Sequence, residues 1–102
     1  MIQDISVIEL KRRIDASEAL NILDVREQYE FDEFNLNGKL IPLGELPGQL
    51  DELSDWKTEE IIIHCRSGRR SATAQQFLLQ NGFTNVRNLI GGVIDWQLEF
   101  GM

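Results

Sequence analysis

The sequence predicts an open α/β fold, with a mainly parallel sheet covered by helices on both faces. Two observations carry this. Residues 21–25 and the run Ile61-Ile62-Ile63 are nearly continuous apolar stretches rich in β-branched residues, the pattern of strands buried on both sides. Around them lie segments whose apolar residues recur at helical spacing, and strands alternating with helices imply crossover connections and parallel pairing. In such sheets ligands bind beyond the carboxyl ends of the strands.

Each element follows from local chemistry. Ile5 belongs to a short first strand. Ser6 and Glu9 have the spacing of a capping box, and Val7, Leu10 and Ile14 continue as one helical face, with Lys11, Arg12 and Arg13 outward. Residues 21–25 form the next strand. Residues 27–34 read as a short acidic helix with Tyr29, Phe31 and Phe34 as its apolar positions, followed by a turn over 35–38 and a brief strand at Leu40-Ile41, stopped by Pro42. Leu46, Leu50 and Leu53 predict a helix over 44–54, with Pro47 near its start, where proline is tolerated. The Ile61–Ile63 strand ends on Cys65. A polar turn leads into a helix over residues 72–79 that runs on to Asn81-Gly82, with Gly82 as its C-terminal cap. Residues 86–89 are a late strand, and Gly91-Gly92 turn into a final helix holding Val93, Trp96 and Phe100. Trp56, Trp96 and the phenylalanines are read as core and rim packing.

Composition bounds the function. The 102 residues are expected to form one domain spanning 1–102, large enough to bury about two-thirds of its unfolded surface. A formal charge of −7 argues against nucleic acid and anionic membranes as partners. No apolar run is long enough to cross a bilayer and no secretory signal opens the chain, so a cytoplasmic setting is expected. The single cysteine leaves no internal disulfide, four-cysteine metal site or internal resolving thiol. No phosphate-binding glycine motif or metal-ligand cluster is present, and no metal or cofactor is expected.

That cysteine sits at a strand-to-helix corner, in Cys65-Arg66-Ser67-Gly68-Arg69-Arg70-Ser71. Backbone N–H groups and the positive end of a helix dipole converge there and favour an anion, which lowers a thiol pKa. A lone cysteine is commonly an inert buried thiol; the loop that follows argues for a reactive one. Residues 66–71 form the expected anion cradle, with Gly68 supplying a conformation closed to other residues. Arg66, Arg69 and Arg70 make a basic island in an acidic chain, suited to a small anion. Arg66 and Arg69 are expected to face it, Arg70 to anchor the helix start, and Ser71 to close the loop. His64 precedes the thiol on a strand and points to the opposite face, so it is a poor general base. This reading requires inward-pointing amides and a sulfur that reaches solvent.

The same residues resemble the rhodanese family of sulfurtransferases. Asp24-Val25-Arg26 followed by Glu30-Phe31, Ile41-Pro42-Leu43, the full cysteine loop, and Gly82-Phe83, Asn85-Val86, Leu89, Gly91-Gly92 and Trp96 are similar to its motifs in their order. Where the family usually has Gly-His-Ile, this chain has Phe34-Asn35-Leu36, and the stretch from Gly38 to Pro42 is one residue shorter. The resemblance implies a twisted, mainly parallel five-stranded sheet flanked by helices. It also implies a Cys65 thiolate that takes the outer sulfur of a donor such as thiosulfate, releases sulfite, and passes its persulfide sulfur to cyanide or a thiol. Asp24 and Arg26 would brace the loop, with Arg26 paired to Glu30 four residues on; the alternative is a merely structural ion pair at a strand end.

Rival readings remain open. A cysteine phosphatase also carries His-Cys and an arginine loop, but with five residues before its arginine; that position here is Ser71, and Arg70 falls one short. A shorter loop makes a tighter cradle, suited to sulfane sulfur. A non-catalytic interaction module of this fold usually lacks the cysteine. In a sulfur relay, the same Cys65 would accept sulfur from a cysteine desulfurase and hand it to a carrier protein.

Overall fold

A computed structural model describes residues 3–101. Its elements run α1 (Val7–Asp15), β1 (Ile22–Asp24), α2 (Gln28–Glu33), β2 (Lys39–Leu40), β3 (Glu60–His64), α3 (Arg69–Gln80), β4 (Asn85–Asn88) and α4 (Gly92–Phe100), with two 3₁₀ segments, Leu43–Gly48 and Leu50–Trp56, between β2 and β3. The sheet is parallel, in the order β2-β1-β3-β4, and β3 is central.

The strand residues alternate between two cores. Leu23, Val25, Ile61, Ile63 and Cys65 pack with Ala74, Leu78, Leu46 and Leu53 on one face, while Ile22 and Ile62 pack with Leu10, Leu89 and Trp96 on the other. That two-residue period accounts for the unbroken apolar run Ile61–Ile63 of β3, because both of its faces are covered. Each fully buried isoleucine of β3 contributes roughly 1.5–3 kcal/mol.

Local signals hold at several ends. Ser6 Oγ accepts from Glu9 N at 3.1 Å and caps α1. Gly82, at φ +90°, closes α3: Phe83 N donates to Leu78 O at 3.1 Å and Gly82 N to Leu79 O at 3.4 Å, the paired bonds of a Schellman motif.

Four expectations are corrected. The sheet has four strands, not five; Ile5 contributes one parallel bridge, to Leu89, because Ser6 caps α1 immediately after it. The expected helix over 44–54 is two 3₁₀ segments, with Pro47 inside the first and without an N–H to continue an α-helical ladder. In α2 no residue is buried, and Tyr29 is 66% exposed. Arg13 does not simply face outward: its guanidinium donates to both oxygens of Glu60, at 2.7 and 3.0 Å.

The shortened stretch after α2 has its own chemistry. Asn35 Nδ2 donates to Phe31 O at 3.0 Å, and Asn35 Oδ1 accepts from Asn37 N at 2.8 Å, so this residue caps α2 and builds the turn. Gly38 passes against β1 so closely that a Cβ there would lie 2.8 Å from Ile22 O. No helix among the described residues is long and apolar enough to cross a membrane.

Candidate active site

The carboxyl end of β3 delivers Cys65, and the chain turns at once into α3. The N-cap of α3 is Gly68 at φ +106°, a left-handed conformation; its surroundings leave room for a Cβ, so the backbone angle is what calls for glycine. The turn aims donors at the sulfur. Gly68 N lies 3.1 Å from Cys65 Sγ, Ser71 N 3.4 Å, and the Ser71 hydroxyl 3.3 Å. Burial pushes the thiol up, but the Ser71 hydroxyl and the amides of Ser71, Gly68 and Ser67 outweigh it, and the net displacement is downward. The cradle therefore favours the anionic sulfur.

The backbone of the nucleophile is held from the far side by α4. Val93 N donates to Cys65 O at 3.1 Å and Ile94 N to Arg66 O at 3.0 Å. This approach needs Gly92, at φ +58°, because a Cβ there would lie 2.6 Å from both carbonyl oxygens. The amino ends of two helices thus serve one loop, α3 toward the sulfur and α4 toward the carbonyls.

Two amides of the loop, those of Gly68 and Ser71, point at the sulfur. The requirement that the sulfur reach solvent is corrected: Cys65 is buried, 1% exposed, because the end of β3 packs into the core beneath the loop.

The charges are arranged differently from the sequence expectation. Arg26 does not pair with Glu30. It folds back onto Asp24, with Nη2 2.8 Å from Oδ2 and Nε 3.0 Å from Oδ1, and gives a further bond to Phe34 O at 2.7 Å. Asp24 is fully buried at the end of β1, and a buried carboxylate needs its cation beside it. Glu30 instead receives Arg70 through two parallel bonds of 2.7 and 2.9 Å, which tie α2 to the start of α3. The Arg70 end of this bridge lies in the first turn of α3. Arg66 and Arg69 are exposed. Arg66 borders a cleft of about 410 Å³ between α2 and α4, with Arg26, Tyr29, Glu33, Phe34 and Val93 among its other walls. Neither Arg69 nor Cys65 lines that cleft.

His64 lies on the face opposite Cys65, fully buried, with Nε2 3.7 Å from Asp24 Oδ2 and, among the described residues, no hydrogen-bond partner on either ring nitrogen. Burial holds it below the ordinary histidine range, with Asp24 pulling the other way, so the ring is neutral.

One side chain at the site escapes sequence reasoning. Asn88, at the end of β4, accepts from the Ser71 hydroxyl at 2.6 Å and donates Nδ2 to Gly68 O at 3.1 Å. The only hint is its place at a strand's carboxyl end; the pairing of Ile63 with Asn88 is what brings it beside the loop.

Comparison with known proteins agrees with this geometry. The model of the rhodanese-like domain matches residues 6–99. The putative sulfur carrier protein YrkF of Bacillus subtilis is 42% identical over 96 residues, which cover 93% of this chain and 51% of the relative, so the chain spans about half of that protein's length. The putative sulfurtransferase YtwF of the same organism is 36% identical over 99 residues, covering 96% of this chain and 93% of the relative. Among solved structures, SSP1007 of Staphylococcus saprophyticus superposes with a TM-score of 0.81 at 34% identity, covering 93% of each chain.

Proposed function

This chain belongs to the rhodanese-like domain family, and from that premise we propose that it transfers sulfane sulfur through a persulfide on Cys65. The observation that carries the reading is the cradle: two amides and a hydroxyl directed at one sulfur. The thiolate attacks the outer sulfur of thiosulfate. A bond forms between Sγ and that sulfur, the bond to the sulfonate sulfur breaks, and its electron pair leaves on sulfite. The charge now rests on the outer sulfur. Loop amides 66–71 stabilise it, as preorganised donors do wherever negative charge develops. Cyanide or a thiol then attacks the outer sulfur and returns Cys65 to the thiolate.

Roles follow from position. Cys65 is the nucleophile. Arg66 and Arg69, unburied and cationic, raise the local potential that draws a dianion into an otherwise acidic molecule. Ser67, Gly68 and Ser71 supply donors. Arg70 with Glu30, and Arg26 with Asp24, hold the surrounding elements. A carrier protein as acceptor, charged by a cysteine desulfurase, is the second reading, favoured by the sulfur-carrier name of YrkF. A cytoplasmic compartment, where thiols stay reduced, matches either. The phosphatase reading weakens further, because Arg70 is committed to Glu30 and the sixth residue after Cys65 is Ser71, bonded to the sulfur.

Intact mass after incubation with thiosulfate tests the proposal. The protein should gain one sulfur atom and return to its starting mass on adding cyanide, with thiocyanate released. Cys65→Ser should take up none. An unmodified mass in a folded, reduced sample overturns thiosulfate as donor. An adduct on Cys65→Ser places the chemistry elsewhere, and faster hydrolysis of an aryl phosphate favours the phosphatase.

A further inference from the structure

Ser71 stands between two acceptors with one proton to give. Its Oγ lies 2.6 Å from Asn88 Oδ1 and 3.3 Å from Cys65 Sγ, and all three residues are buried. The Asn88 amide has one orientation that fits: Gly68 O, 3.1 Å away, can only accept, so Nδ2 faces it and Oδ1 faces Ser71. An O–H···O contact of 2.6 Å is at the short end of its range, so in the resting thiol the proton lies on the Asn88 side. The thiol can then place its own proton on Oγ. Once Cys65 ionises, the sulfur draws the same hydroxyl proton. Yielding it leaves Asn88 Oδ1 buried without a donor, a cost comparable to the bond gained. In a persulfide the charge sits on the outer sulfur. Sγ becomes a neutral divalent sulfur, a weak acceptor, and the proton stays with Asn88.

We propose that Asn88 is a positioning residue that competes with Cys65 Sγ for the Ser71 proton and thereby favours the sulfur-loaded site over the free thiolate. The inference rests on the persulfide reading, but its first readout does not. The exchange it biases balances: thiolate and thiosulfate give persulfide anion and sulfite, one S–S bond forming as another breaks, with no oxidant and no net proton. The charged groups around the sulfur are Arg66, Arg69 and Arg70 of the loop, the last held by Glu30, together with the Asp24–Arg26 pair and neutral His64 at the strand ends. They are the same in every variant below.

The test is alkylation by iodoacetamide across pH for the native chain, Ser71→Ala, Asn88→Ala and the double variant. Asn88→Ala frees the hydroxyl proton for the sulfur. The midpoint of the rate–pH curve should move to lower pH, with the rate below that midpoint rising about three- to tenfold. In the Ser71→Ala background the same substitution should produce no such rise. An unchanged or raised midpoint in Asn88→Ala overturns the proposal, because loss of an anchor on Gly68 alone would loosen the cradle whether or not the hydroxyl is present. If Asn88→Ala does not fold, Ser71→Ala decides by itself. An upward displacement of less than about half a pH unit supports a hydroxyl whose help to the sulfur is largely cancelled by Asn88, and one of about a full pH unit or more refutes it. At a fixed ratio of thiosulfate to sulfite, intact mass should show the loaded-to-free ratio falling about three- to tenfold in Asn88→Ala; an equal ratio refutes the bias. No adduct in any variant defeats the sulfur-transfer reading instead, while the alkylation midpoints still decide whether Asn88 holds the proton.

Discussion

Replacing Glu30 by Gln probes how the charges around the loop are held. The native carboxylate takes both Nη atoms of Arg70, at 2.7 and 2.9 Å, and accepts from Glu27 N at 3.0 Å within the cap of α2. The Arg70 guanidinium, against the opposing effect of burial and with help from the Glu27 amide, holds the Glu30 carboxyl at about 2, below its ordinary 4.5. Taken at face value, that displacement is roughly 3 kcal/mol. The Arg70 side chain is 35% exposed, and solvent screening brings the figure to about 1–2 kcal/mol. The folded pKa is depressed, so this stability is fully present above 4.5 and is lost as the pH falls from there toward about 2. Glu30→Gln should therefore cost about 1–2 kcal/mol at neutral pH, several degrees of Tm for a chain this size. Urea melts of both proteins at neutral pH and near pH 3 provide the assay, since the midpoints convert to free energies when the slopes agree. The gap between native and variant should shrink at the acid pH. A variant as stable as native at neutral pH, or a gap of the same size at both, would refute the assignment of that stability to the Glu30–Arg70 pair.

Gly92→Ala should destabilise the fold by about 1–3 kcal/mol and slow sulfur uptake, because the new Cβ meets Cys65 O and Arg66 O at 2.6 Å and the residue holds φ +58°; thermal melts and intact mass read the two effects. His64 is buried neutral with its pKa depressed, so its contribution is whole above the ordinary 6.5 and declines as the pH drops below it; His64→Met should flatten that part of the stability–pH curve, and an unaltered slope would place the titration elsewhere. Because Cys65 is 1% exposed, its alkylation should fall steeply with reagent size: iodoacetamide should outpace a bulky aromatic iodoacetamide by much more than it does on free cysteine. Equal ratios in the protein and the free amino acid would mean an open thiol.

Much of the fold is written in short-range pattern. The period of two through Ile61, Ile62 and Ile63 places His64 opposite Cys65, and the chain obeys it. Turn chemistry at Gly68 and Gly82 marks where α3 begins and ends. Patterns failed where two local preferences competed: Leu46, Leu50 and Leu53 have helical spacing, yet Pro47 and the glycines on either side of it leave 3₁₀ turns. The four-residue spacing from Arg26 to Glu30 suggested a pair, but Asp24 is buried and holds the guanidinium in place of Glu30.

By itself the sequence marked most of the strands and helices, the corner that carries the only cysteine, and the left-handed turn after it, because periodicity, capping and a left-handed glycine act over a few residues. The tertiary structure alone decided which charge meets which, how deeply the sulfur lies, and that Asn88 stands beside Ser71. Those depend on the parallel register of β3 with β4 and on the placing of Glu30 in α2 beside Arg70 at the start of α3, which set distances between residues far apart in the chain, where no local rule reaches.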